Sequence, residues 1–170
     1  PGGRQLDPRP GPGRAPLLAE RVRRAGLRHI RVVPLFDDGW SSELDSLRQR
    51  AACVFVDAPC TGLGALRREP HRRWLVEPED VERWATEQMA IVRRATALLA
   101  PGGFLVYATC SIVRAENEAV AERLAAGSAL VPVSPALDPA LLDATGRYVA
   151  LLPHRQGTDG FFGALFRAGS

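Results

Sequence analysis

Short apolar runs alternate along this chain with longer stretches in which apolar residues recur every three or four positions. Residues 51–56 (AACVFV) are almost unbroken apolar, which predicts a strand buried on both faces in a parallel sheet. Residues 104–108 (FLVYA) repeat that pattern. Between them Pro78 opens a helix with Val81, Trp84, Met89, Val92 and Leu98 among its apolar positions, stopped by Pro101-Gly102-Gly103. Further helices are expected from Pro16 to Gly26, with Leu17, Leu18 and Val22 on one face, from Ser41 or Ser42 to about Arg48, and over residues 116–126. Residues 29–34 (HIRVVP), 129–133, 148–152 and 161–167 read as strands, and the stretch from Cys60 to about Glu77 as irregular. Strands alternating with helices indicate an α/β domain with a mainly parallel sheet.

Composition narrows the class without naming a function. The 170 residues are 46% hydrophobic and 24% charged, close to the average of globular domains, and suffice for one domain. No run approaches the roughly 20 apolar residues of a membrane span. Residues 1–16 are rich in Pro, Gly and Arg and lack the apolar centre of a signal peptide, so a cytoplasmic location is expected. Three cysteines cannot all pair within one chain, and free thiols are the simpler reading. All 22 basic residues are arginine, whose planar guanidinium suits phosphate recognition, yet the net charge is only +3. A nucleic-acid partner is permitted, not required.

The chemistry concentrates after two strands. Cys60 in DAPCTG and Cys110 in ATCS each stand where a parallel strand empties into a loop. Ligands of open α/β sheets bind outside the carboxyl ends of the strands, so both thiols are expected to face one crevice. Cys53, inside its strand, reads as a small buried apolar residue. Arg67, Arg68, Arg72, Arg73 and Trp74 follow Cys60 and combine positive charge with an aromatic ring, a combination suited to single-stranded RNA. His29, His71 and His154 show no metal-ligand spacing with the cysteines, and no metal is expected.

The segment DAPCTGLGALRREPHRRW, the helix after it and PGGFLVYATCS resemble the S-adenosylmethionine-dependent RNA cytosine C5-methyltransferases. LLPHRQGTDGFFGALFR is similar to the C-terminal signature of the same family, so the resemblance covers about residues 15–170. It implies a Rossmann-like class I methyltransferase sheet, mostly parallel with a C-terminal antiparallel hairpin. It further implies S-adenosylmethionine as cofactor and a ribosomal or transfer RNA as partner.

Carbon 5 of cytosine is a weak nucleophile. A thiolate adding at carbon 6 turns the ring into an enamine that can take a methyl group, splitting one difficult step into two easier ones. By resemblance Cys110 is that nucleophile, and Cys60 assists breakdown of the covalent intermediate. Asp57 matches the acidic residue that hydrogen-bonds the target base, and it borders the cofactor with Pro59. Asp37 or Asp38 falls where the family contacts adenine, and the doublet leaves the register open. Thr158 and Asp159 lie in the last motif, near the substrate, and Arg67, Arg68, Arg73 and Trp74 would meet RNA.

The N-terminus departs from the family. Pro1-Gly2-Gly3-Arg4 matches the tail of the cofactor-binding glycine loop, which would place Gly2 and Gly3 on the cofactor, but no strand precedes it. Residues 1–14 are expected to be an irregular remnant and 15–170 a partial catalytic domain lacking the first strand or strands, with residues 51–56 left as an apolar edge. The alternative is a catalytically inactive RNA-binding or interaction module that has lost the cofactor loop.

Overall fold

The computed structural model describes residues 14–33, 42–127 and 129–169. The chain divides into two compact units, Pro1–Leu47 and Arg48–Ser170. The first holds α1 (Arg14–Arg24) and the four-residue α2 (Ser42–Asp45). Residues 29–33, expected to begin a strand, are not in one. An extended segment becomes a strand only with a partner to close its ladder, and none pairs with it among the described residues.

The second unit is a sheet with helices against it. Its strands are β1 (Ala51–Asp57), β2 (Leu99–Thr109), β3 (Leu130–Val133), β4 (Val149–Leu151) and β5 (Phe161–Ala168). The order is β1-β2-β5-β3, with β4 also on β5. β1 and β2 pair in parallel, joined through α3 (Pro78–Thr96), as a parallel pair requires. β2, β3 and β4 each pair antiparallel with β5, so β1 to β4 share one direction and β5 opposes them. The Rossmann-like arrangement expected from the sequence, with its antiparallel C-terminal strand, is present.

The α3 helix starts with Pro78 at its first position and the Glu77 N–H donating to Asp80 Oδ2 (3.0 Å). It buries Trp84, Ala85, Gln88, Met89 and Val92, one face at helical spacing. That face meets Val56, Leu105, Tyr107, Phe162 and Phe166 of the sheet, with Val120, Ala121 and Leu124 of α4 (Glu118–Gly127) completing the core.

Three expectations need correction. β1 is not buried on both faces: Val56 enters the core, but Cys53 is exposed and Phe55 is 66% exposed. Among the described residues β1 is an edge strand, with its core layer on one face only. The α3 helix ends at Thr96, not at Pro101, because Leu99 is drawn into the ladder opposite Ala51. The helix expected from Glu116 starts at Glu118, since residues 114–116 form a tight 3-10 turn instead. That small shift places Glu116 in the site.

Candidate active site

Cys60 and Cys110 follow adjacent parallel strands, and the register that pairs Asp57 with Ala108 brings the two loops side by side. The two Sγ atoms lie 3.4 Å apart. The pair is unequal. Cys110 is lowered from 9.0 to about 7, first by the hydrogen bond from Cys60 and with help from the Arg72 cation, against burial and the negative charge of Asp57. Cys60 is pushed up by that same bond, by burial and by the negative charges of Cys110 and Glu116. Cys110 is therefore the more acidic thiol of the pair and Cys60 the one that keeps its proton.

The loops around the thiols are tied to one another. Ser111 N–H and Thr109 Oγ1 form a turn in which Thr109 donates to Asn117 Oδ1 (2.6 Å), and Asn117 Nδ2 donates to the Ser111 carbonyl (3.0 Å). Glu116, fully buried, accepts from Thr61 N–H (2.8 Å), Thr61 Oγ1 (2.6 Å) and Ser111 Oγ (2.6 Å). The single Tyr107 hydroxyl proton is shared between the Glu116 carbonyl and Gln88 Oε1 (2.9 Å), and Gln88 Nε2 donates to the Pro59 carbonyl (2.8 Å). Burial, then the charges of Glu116 and Cys60, push the Tyr107 phenol up.

The glycine-turned motif closes a third side. Gly64 N–H donates to the Cys110 carbonyl (3.0 Å), and Gly160 N–H donates to the Gly64 carbonyl (2.8 Å). Gly62, at φ 70°, lets the Arg72 guanidinium come close: a Cβ there would lie 2.9 Å from Arg72 Nη1.

The residues expected from the sequence fall into distinct settings. Cys60 and Cys110 are brought together, and Asp57 ends β1 with an exposed side chain whose charge reaches Cys110. Pro59 holds its carbonyl to Gln88. Asp159 is 8% exposed and binds Arg68 at 2.5 Å and Arg67 at 3.9 Å, while Thr158 donates to the Asp159 carbonyl (2.9 Å). Arg67 and Arg68 thus already have a carboxylate between them. Trp74 is 74% exposed, with the Arg73 guanidinium 4.5 Å from its ring centroid. Gly2, Gly3, Asp37 and Asp38 lie outside the described residues. Among the described residues no cluster of His, Cys, Asp and Glu is arranged to hold a metal ion.

Two residues escaped sequence reasoning. Arg72 stood among the loop arginines with nothing to connect it to Cys110. Glu116 was absorbed into a helix start, and its only signal was a carboxylate six residues after Cys110, where an apolar residue would bury more easily.

Residues 9–167 match the family of 16S rRNA methyltransferases RsmB/F. A Mycobacterium tuberculosis protein bearing a methyltransferase name is 42% identical over 161 residues, which cover 93% of this chain and 34% of that protein. Ribosomal RNA small subunit methyltransferase B of Thermus thermophilus is 34% identical over 151 residues, covering 88% of this chain and 38% of its own length. Among solved structures, NSun6 from Pyrococcus horikoshii with SFG superposes with a TM-score of 0.74 at 23% identity, over 94% of this chain and 40% of that one, a likeness of fold. The chain spans about a third of the length of the curated relatives it matches.

Proposed function

The chain belongs to the RsmB/F family of 16S rRNA methyltransferases, and from that premise we propose that it methylates carbon 5 of a cytosine in ribosomal or transfer RNA through a covalent cysteine–base intermediate. The observation that carries this reading is the unequal thiol pair: a Cys110 lowered to about 7 whose sulfur lies 3.4 Å from a protonated Cys60 at the ends of adjacent strands.

S-adenosylmethionine is the implied cofactor, and when bound it supplies an electrophilic methyl group on a cationic sulfonium. The residues present fit it: Asp57 keeps an exposed carboxylate at the end of β1, a favourable neighbour for that cation, with Pro59 two residues on. Asp37 or Asp38 would meet its adenine, and Gly2 and Gly3 would belong to the glycine loop that holds it. The target base leaves its stack to reach the thiols. Cys110 Sγ would add to carbon 6 and move the electron pair of the 5,6 double bond to carbon 5, leaving that carbon nucleophilic enough to take a methyl group from the bound cofactor as the sulfonium carbon–sulfur bond breaks. Asp57, sharing a proton with the base, stabilises charge that develops on the ring. A base, water in this reading, then takes the carbon 5 proton, the 5,6 double bond re-forms, and the bond between carbon 6 and Cys110 Sγ breaks to release Cys110 as thiolate. By resemblance Cys60 assists that release, its raised thiol keeping its proton 3.4 Å from the leaving sulfur. Trp74 and Arg73 offer a base-stacking ring and a phosphate contact, and Arg67, Arg68, Thr158 and Asp159 border the path. A cytoplasmic location accords with an rRNA or tRNA substrate, and no described helix is long and apolar enough to cross a membrane.

The test is adduct formation with a cytosine-containing RNA and S-adenosylmethionine, read on denaturing gels. Cys60→Ala should accumulate a covalent protein–RNA species and Cys110→Ala should form none. An adduct that survives in Cys110→Ala and vanishes in Cys60→Ala reverses the roles. RNA binding indifferent to S-adenosylmethionine, with no adduct in any variant, makes the chain a binding module.

A further inference from the structure

We infer that Glu116 is a positioning residue whose buried carboxylate, gripped by Thr61 and Ser111, fixes the distance between the Cys60 and Cys110 thiols. Thr61 directly follows Cys60 and Ser111 directly follows Cys110, so each grip lies one residue from a sulfur. Oε1 takes the Thr61 N–H at 2.8 Å and Gln88 Nε2 at 3.4 Å. Oε2 takes the hydroxyls of Thr61 and Ser111, each at 2.6 Å. One side chain therefore spans two loops fifty residues apart in the chain. Glu116 is itself anchored from behind, because its carbonyl accepts the Tyr107 hydroxyl from β2 and the adjacent Asn117 holds Thr109 and Ser111.

Stability alone is a poor reason for this arrangement. A buried carboxylate satisfied only by neutral donors has a large desolvation penalty to offset, and an apolar side chain would fill the same space more favourably. What the carboxylate supplies is directional, two-sided hydrogen bonding that no apolar residue offers. The inference rests on the proposed reading for its purpose: two thiols serving neighbouring atoms of one pyrimidine must keep their spacing, and a misplacement of 1 Å can cost about a hundredfold in rate.

The experiment separates reach from charge. Phenylarsine oxide closes on two thiols held side by side: two As–S bonds form, and the two thiol protons leave on its oxygen as water. The 170-residue chain carrying Cys53→Ser should bind one arsenical through Cys60 and Cys110, with the binding lost in Cys110→Ser. Glu116→Asp keeps the charge but withdraws it by one methylene, and should weaken binding at least about tenfold. Glu116→Gln keeps the reach, its amide bridging the same hydroxyls, and should stay within about threefold. Thr61→Val, which removes one grip and leaves Glu116 intact, should also weaken it. No arsenical binding by the parent, an Asp variant as tight as the parent, or a Gln variant weaker than Asp each overturns the inference. In the RNA assay Glu116→Asp should slow adduct formation with RNA affinity unchanged, and a loss confined to affinity also overturns it. If the parent binds the arsenical but forms no RNA adduct, the methyltransferase reading fails while the arsenical series still decides the role of Glu116.

Discussion

Replacing Gly64 by alanine tests whether the three loops of the site are packed backbone to backbone. An ideal Cβ at Gly64 would lie 2.2 Å from the Gly160 carbonyl oxygen, 2.7 Å from the Cys110 carbonyl oxygen and 2.8 Å from the Gly160 carbonyl carbon. Every one of those atoms is main chain, so no side-chain rotation relieves the overlap. Overpacking of this kind costs about 1–3 kcal/mol. Separating the loops also breaks the Gly64–Cys110 and Gly160–Gly64 hydrogen bonds, each worth about 0.5–1.5 kcal/mol. Together these predict a loss of about 4 kcal/mol, a large part of the ~5–15 kcal/mol of a typical domain. Gly157→Ala is the control: φ there is 68° with nothing within 4 Å of a Cβ, so only left-handed strain of about 1–2 kcal/mol applies. In urea, with a slope of about 2 kcal/mol per molar, the Gly64→Ala midpoint should fall by about 2 M and that of Gly157→Ala by less than about 1 M. Equal shifts, or a smaller one for Gly64→Ala, would refute the clamped arrangement.

Other outcomes follow from the same geometry. Arg72→Gln should move the Cys110 alkylation midpoint upward from about 7, and Cys60→Ala should move it further, since the Cys60 hydrogen bond is the larger cause; an unchanged midpoint in both removes the basis for a preformed thiolate. The folded value lies below the ordinary 9.0, so ionised Cys110 contributes stability that is fully present above the unfolded value and is lost as pH falls through about 7, measurable as a declining urea midpoint. Gln88→Leu removes the donor to the Pro59 carbonyl and one of the two acceptors shared by the Tyr107 hydroxyl; it should lower stability by about 2–4 kcal/mol in denaturant titration, and a loss below about 1 kcal/mol would contradict the network. Arg68→Ala leaves Asp159 without its 2.5 Å partner. Because Arg68 is 67% exposed, the loss should be only about 1–2 kcal/mol by calorimetry and should shrink in 1 M salt; a loss insensitive to salt would mean that packing, not charge, is at stake.

The sequence by itself determined the α/β class, the sequence positions of the two cysteines and most element positions. Apolar runs such as 51–56 and 104–108 are strands for local reasons, and a cysteine at the end of each is visible in the order of residues alone. Pro78 and the face from Trp84 to Val92 likewise declare α3 without help from the rest of the chain. Tertiary structure decided what depends on partners distant in sequence. Register across β1 and β2 set the 3.4 Å between the thiols, and Arg72 and Cys60 together, not either neighbourhood alone, made Cys110 the acidic member. Burial of Phe55 could not be read from its own apolar run, because hydrophobicity states what a residue would gain by burial, not whether a second layer covers it. Residues 29–33 carry a strand's composition but are in no strand among the described residues. Glu116 shows the same limit most sharply. A carboxylate in the chain is only a charge until folding surrounds it with Thr61, Ser111 and Gln88, and those donors come from three separate segments.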